Sequence, residues 1–215
     1  GAGLAKMPAL SMFTTRTLLE GKWPILILTA LSIAGLLWCL VAAFISLALL
    51  VFTISFFRDP DAIVPADEKL IVAPATGKIV AIKPVGSTTM LAIFLSVFDV
   101  HVQRAPLAGT ITGVKYEAGK FFDVRHPDAS TMNEYRLIDM ETADGYRVSV
   151  KQIAGLIARR IVGRAGEGAT VAKGERIGMI RFGSRVEIFL PAGTEIVAEV
   201  GDYARGGETV LARRN

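Results

Sequence analysis

Two short stretches carry residue types that could do chemistry. The first is MIRFGSRVEIFLP, Met179 to Pro191. Ile180, Phe182, Val186, Ile188 and Leu190 alternate as in a strand with one apolar face, yet Gly183-Ser184 interrupts them. Glycine weakens a strand interior and marks a bulge or a place where the backbone does something unusual. A serine hydroxyl is a poor nucleophile unless a base or strain activates it. A preceding glycine permits close approach, as an attack by Ser184 on the Gly183 carbonyl would require. The plain alternative is a β-bulge with a surface serine. The second stretch is SVFDVHVQRAPLAG, Ser96 to Gly109. Its His101 follows an apolar strand and precedes a proline turn. Imidazole titrates near neutral pH and suits proton transfer; the plain alternative is a hydrogen-bonded histidine at a sheet edge. The other histidine, His126 in VRHPDAS, reads as a solvated loop residue.

Other chemistries find little support. Two distant histidines and no close acidic cage do not make a metal site. There is no Walker-type phosphate loop and no complete dinucleotide glycine fingerprint. Basic residues such as Arg159-Arg160 are not interleaved with aromatics, which argues against nucleic acid as a partner. The one cysteine, Cys39, leaves no disulfide possible within the chain and fits a cytoplasmic globular part.

The elements that must position Ser184 and His101 follow from hydropathy. The 215 residues are 52% hydrophobic, with the excess at one end. From Pro24 to Phe57 no residue is charged, which marks a membrane segment; its length and the lack of a small-residue cleavage site disfavour a signal peptide. As one helix the run would be roughly 50 Å long, against a hydrocarbon core of about 30 Å. Lys6, Arg16 and Lys22 before it, with Arg58 and Lys69 after it, suit a hairpin with both ends in the cytoplasm; a single tilted span is the rival. Residues 1–23 are then an N-terminal cytoplasmic segment, 24–57 the membrane helix or hairpin, and 58–215 the catalytic domain. A net charge of +4 mildly favours an anionic lipid surface.

After the linker FFRDPDAIVPADEKL, short strands alternate with glycine turns. APATGKIVAI, APLAGTITGVKYEAGKFF, VAKGERIGMI and LPAGTEIVAEVGDYARGGETVLA are weak internal repeats. They predict a mainly β fold, a barrel or sandwich of short strands. A hairpin is expected around Ala143-Asp144-Gly145, while GLIARRIV fits helix or strand. The last repeat resembles the closing turn of biotinyl and lipoyl carrier domains, a barrel-sandwich hybrid, without a counterpart of their modified lysine.

The chain resembles the short bacterial and archaeal phosphatidylserine decarboxylases. The resemblance rests on the apolar run ending in FFRDP, then APATGKI, SVFDVHVQRAP, NEYR, QIAGLIARRIV and GERIGMIRFGSRVEIFLP, in that order over nearly the whole chain. It implies a self-processing proenzyme. The serine oxygen attacks the carbonyl of the preceding glycine, and elimination breaks the chain between Gly183 and Ser184. The β chain would be residues 1–183 and the α chain 184–215, beginning with a covalently bound pyruvoyl group derived from Ser184, the Schiff-base site. No metal is implied. A carbonyl of this kind can accept the electrons left when carbon dioxide departs, as pyridoxal does. The implied activity is conversion of phosphatidylserine to phosphatidylethanolamine at the cytoplasmic face of the inner membrane. His101 is the candidate general acid and base, and Arg104, Asn133 and Glu134 are candidates for lining the site. One position departs from the pattern: Thr76 stands in Pro74-Ala75-Thr76-Gly77 where the family usually has aspartate. Threonine cannot act as a carboxylate base; Asp99 or Glu187 are candidate substitutes. A homodimer is compatible with exposed strands. The alternatives are a non-processing lipid-binding homologue and a membrane-anchored export-pump adaptor, the latter disfavoured by the absence of a long heptad segment.

Overall fold

The computed structural model describes residues 22–126, 128–155, 161–163, 165–180 and 184–214. The chain divides into two units, residues 1–53 and 54–215.

The charge-free run forms one continuous helix, α1 (Lys22–Phe56), rather than the hairpin that the flanking charges suited, with no polar turn to break it. Pro24 falls in its first turn, where the missing N–H costs no helical hydrogen bond. At 1.5 Å per residue, its 35 residues extend about 52 Å. Within the first unit the helix is apolar on all sides and its large side chains are exposed, Trp38 most of all. Such a surface suits hydrocarbon rather than water. Its hydroxyls are already satisfied: Ser32 donates to Leu28 O at 2.8 Å, Ser46 to Ala42 O at 2.8 Å and Thr53 to Leu49 O at 2.7 Å. In lipid, where water cannot serve as a partner, this internal pairing matters.

The second unit is mainly β, as the alternation predicted. The four glycine-turn repeats supply β2 (Gly77–Val85), β5 (Gly109–Glu117), the pair β9 (Thr170–Val171) and β10 (Arg176–Ile180), and finally β12 (Glu195–Ile196), β13 (Tyr203–Ala204) and β14 (Val210–Arg213). The remaining strands are β1 (Leu70–Val72), β3 (Thr88–Leu95), β4 (Val102–Arg104), β6 (Tyr135–Glu141), β7 (Arg147–Ala154), β8 (Ile161–Gly163) and β11 (Ser184–Pro191), with a short helix α2 (Ala129–Met132). An eight-stranded sheet runs β13-β2-β3-β11-β7-β6-β5-β9. Two three-stranded sheets, β1-β14-β12 and β4-β10-β8, complete the unit. Register shifts in β2 between Ile79 and Ala81, and in β5 between Ile111 and Gly113, bend the large sheet. The expected hairpin joins β6 to β7, with Glu141 opposite Arg147 and Gly145 at φ +83°. That positive φ is why the turn needs glycine.

Strand parity builds the core. Along β11, Val186, Ile188 and Leu190 are fully buried and pack with Leu91, Ile93 and Leu95 of β3 and Val150 of β7. At the other edge of β3, Gly77 admits a close crossing: a Cβ there would lie 2.1 Å from Phe94 O.

One expectation is corrected. The stretch Met179 to Pro191 is not a single strand with a bulge. β10 belongs to the β4-β10-β8 sheet and β11 to the large sheet, so the chain changes sheets between Ile180 and Ser184. Gly183 itself, Phe182 and the Arg159-Arg160 pair lie outside the described residues.

Candidate active site

Ser184 is the first residue of β11. It is fully buried, between Leu95 of β3 and Ala154 of β7. Its Oγ has no hydrogen-bond partner among the described residues. Buried hydroxyls are normally paired because desolvating one without compensation is costly. A surface serine is therefore ruled out.

His101 comes to the same end of the sheet. β3 ends at Leu95 opposite Ser184, the chain turns, and His101 precedes β4. The His101 carbonyl accepts from Ile180 N at 3.2 Å, just before the change of sheet. The imidazole is fully buried, not an exposed edge residue. Nδ1 lies 2.9 Å from the Asp99 carbonyl. A carbonyl only accepts, so Nδ1 carries the hydrogen and Nε2 is the basic nitrogen of the neutral ring. Phe56, the last residue of α1, lies over the ring with centroids 4.1 Å apart and is 1% exposed. Burial pushes the imidazole below its ordinary pKa; the Asp99 carbonyl and charge oppose this, and Arg58 adds to it.

Asn133 braces the serine's neighbour. It is buried; Nδ2 donates to Phe122 O and Ala154 O, both at 2.8 Å, and Oδ1 accepts from Phe122 N at 2.9 Å. Glu134 adds a main-chain bond, its carbonyl accepting from Ala154 N at 2.9 Å. Both residues thus fix Ala154, the cross-strand partner of Ser184. Burial and a hydrogen bond to the Glu134 carboxylate push the Tyr116 phenol up.

Arg104 engages the linker. Its guanidinium pairs with Asp59 at 2.6 Å and donates to Pro60 O at 2.8 Å and Gly174 O at 3.0 Å, clamping the linker. Thr76 sits in the turn before β2 and accepts from Gly206 N at 3.0 Å. Lys78 pairs with Phe94 and Phe94 with Arg185, so this turn lies two strands from Ser184, roughly 10 Å. Neither candidate substitute hydrogen-bonds Ser184 Oγ. The Asp99 carboxylate is engaged by Ser96 N at 2.7 Å and Tyr203 Oη at 2.6 Å. Glu187 is three residues beyond Ser184 and so projects from the opposite face of β11. There it pairs with Arg185 at 2.9 Å and accepts from Ser130 Oγ at 2.9 Å. Lys151, on the same face, donates to Ser130 O at 2.6 Å, and burial lowers its pKa. His126 is exposed in its loop, as expected.

A buried polar chain escaped the sequence reading. Gln103 Nε2 donates to His101 O at 2.8 Å, Gln152 Nε2 to Gln103 Oε1 at 2.8 Å, and Arg136 Nη1 to Gln152 Oε1 at 3.1 Å. Arg136 also donates to Ala165 O. The signal was legible: Gln152 occupies the inward register of Val148, Val150 and Ala154, and Arg136 that of Ile138 and Met140.

Ser184, buried and without a hydrogen-bond partner for its Oγ among the described residues, opens β11, and the buried His101 precedes β4 at the same end of the sheet. Comparison with known proteins defines the class. The family model for phosphatidylserine decarboxylase matches residues 49–212. The phosphatidylserine decarboxylase proenzyme of Trichlorobacter lovleyi is 49% identical over 178 residues, covering 80% of this chain and 81% of the relative. That of Oleidesulfovibrio alaskensis is 43% identical over 208 residues, covering 93% and 95%, and that of Ruegeria pomeroyi 42% over 203 residues, covering 90% and 93%. The chain belongs to the phosphatidylserine decarboxylase family, and it is an enzyme.

Proposed function

We propose that this chain cuts itself between Gly183 and Ser184 and then decarboxylates phosphatidylserine to phosphatidylethanolamine at the membrane surface. The observation that carries the reading is the buried Ser184 hydroxyl, without a partner among the described residues, at the change of sheets. The relatives' names, which are those of phosphatidylserine decarboxylase proenzymes, support it.

In the cut, Ser184 Oγ attacks the Gly183 carbonyl and the amide becomes an ester. Loss of the Ser184 α-proton then expels Gly183 as a carboxylate. Water releases the serine nitrogen as ammonia and leaves a ketone on the new N-terminus. His101 Nε2, neutral because burial lowers its pKa, is the base available for these protons. The Asn133 and Glu134 bonds to Ala154 hold the strand beside the reacting bond. The buried surroundings of Ser184, whose Oγ has no hydrogen-bond partner among the described residues, fit a pyruvoyl group at position 184, which would supply an electron sink for the charge left by carbon dioxide. His101 then holds the proton that replaces the lost carboxylate. α1 anchors the domain in the inner membrane with its site on the cytoplasmic side, so a headgroup is reached without extracting the lipid. The direct test is Ser184→Ala. It is expected to remain one chain and release no carbon dioxide from phosphatidylserine; retained activity would overturn the proposal.

A further inference from the structure

The residues that lead from α1 into the β unit raise a separate question. The apolar run ends at Phe57, and Arg58 is the first charge after it. If α1 lies in a bilayer, Arg58 marks the boundary where the chain leaves hydrocarbon. Arg58 Nη2 donates to Phe98 O at 2.6 Å, so Phe98 is held at that same depth.

The Phe98 side chain is 73% exposed. It stands on a rigid turn rather than a loose loop. Asp99 N donates to Ser96 O at 2.9 Å, the Asp99 carboxylate accepts from Ser96 N at 2.7 Å, and Phe98 N donates to Ser96 Oγ at 3.3 Å. The Tyr203 hydroxyl then ties β13 to the turn through Asp99 at 2.6 Å. The turn's one acid is thus fully engaged. Linked to the turn are Arg58, through Phe98 O, and Tyr203, 57% exposed, through Asp99; Phe57, 43% exposed, precedes Arg58, and Lys78 lies opposite Tyr203 in β2. Exposed aromatics mixed with cations match the aromatic belt and the anionic surface of a membrane. A rigid turn that carries a largely exposed aromatic ring beside Arg58 suits an interface with lipid.

We propose that the Ser96–Asp99 turn is a membrane wedge: the Phe98 ring enters the headgroup–acyl boundary of an anionic bilayer, with Arg58 and Tyr203 at the phosphate level beside it. This rests on the reading of α1 as a membrane anchor. His101 lies three residues after Phe98, so the wedge sets the depth at which the site meets a headgroup. It selects no lipid chemically; it fixes the site's height.

Depth-dependent fluorescence quenching tests this without relying on catalysis. The chain has two tryptophans, Trp23 and Trp38. One full-length variant carries Trp23→Phe, Trp38→Phe and Phe98→Trp, so its sole indole is at the turn. A second carries only Trp23→Phe and keeps Trp38 within α1. Both are reconstituted into phosphatidylglycerol–phosphatidylcholine vesicles whose acyl chains carry bromine either near the headgroup or near the chain end. The wedge predicts that the indole at 98 loses most of its emission to the shallow bromines and little to the deep ones, while Trp38 is quenched. If Trp38 is quenched and the indole at 98 is not, the turn is in water and the wedge is refuted while the anchor stands. If neither is quenched, the anchor reading fails and the wedge with it.

Discussion

Phe56 lies over the candidate acid, so Phe56→Ala probes both packing and protonation. The ring is 1% exposed and 4.1 Å from the His101 ring. A buried phenylalanine removes about 200 Å² from water, worth about 5 kcal/mol at 25 cal/mol per Å². Truncation to alanine is expected to cost about 3–5 kcal/mol, or at least about 6 °C in Tm for a domain of this size. The opened space admits water to the imidazole. Desolvation is the main cause of the low His101 pKa, so the variant's pKa must rise toward the ordinary histidine value. The sign for stability follows. With a depressed folded pKa, the unfolded chain binds more protons than the folded one just below pH 6.5. The wild type therefore loses stability as pH falls through that window, and the variant loses less. The assay is NMR titration of histidine-labelled protein, with exposed His126 as an internal reference. Phe56→Leu, which keeps most of the burial, should shift the midpoint less. An unchanged or lowered His101 midpoint in Phe56→Ala would refute the claim that this ring keeps the site dry.

The remaining predictions concern the braces around the serine. Glu187→Ala leaves Arg185 and Lys151 without their buried carboxylate and should cost about 3–5 kcal/mol; because Glu187 faces away from Ser184, chain cleavage at permissive temperature should persist, and its loss in a folded variant would show the parity argument wrong. Asn133→Ala strands the buried Ala154 carbonyl and two further main-chain partners, costing about 3 kcal/mol by thermal melting and slowing cleavage more than Glu187→Ala does; equal cleavage rates would contradict its bracing role. Gln152→Leu breaks the chain from Arg136 to the His101 carbonyl and leaves a buried cation with one partner fewer; it should lower Tm and alter the pH profile of decarboxylation, and an unchanged profile would leave the chain a purely structural one.

The β architecture was legible because period-two alternation and glycine turns are local signals. The Ala143-Asp144-Gly145 hairpin and the inward row Val186, Ile188, Leu190 follow from them directly. What alternation cannot give is which sheet a strand joins. β10 and β11 read as one strand because their apolar period runs on across Gly183-Ser184, yet their partners lie far away in sequence, in β4 and β8 for one and in β3 and β7 for the other. Ser184 stands out because Gly183-Ser184 interrupts an apolar period, and His101 because it is one of two histidines and sits at a strand end. Asn133 and Glu134 were singled out by motif, but their action through Ala154 depends on a long-range contact. Arg104 carried the same kind of motif signal, and its partner Asp59 lies in the linker, 45 residues away. Gln152 and Arg136 break the inward apolar registers of β7 and β6, a local signal, whereas Gln103 in the three-residue β4 breaks none.

The central claim is self-cleavage at Ser184 with threonine at position 76. Intact mass of the purified protein under denaturing conditions tests it most directly. The account predicts two chains, residues 1–183 and a 32-residue fragment from position 184 whose N-terminus is blocked by a ketone. A single uncut chain of 215 residues would contradict it.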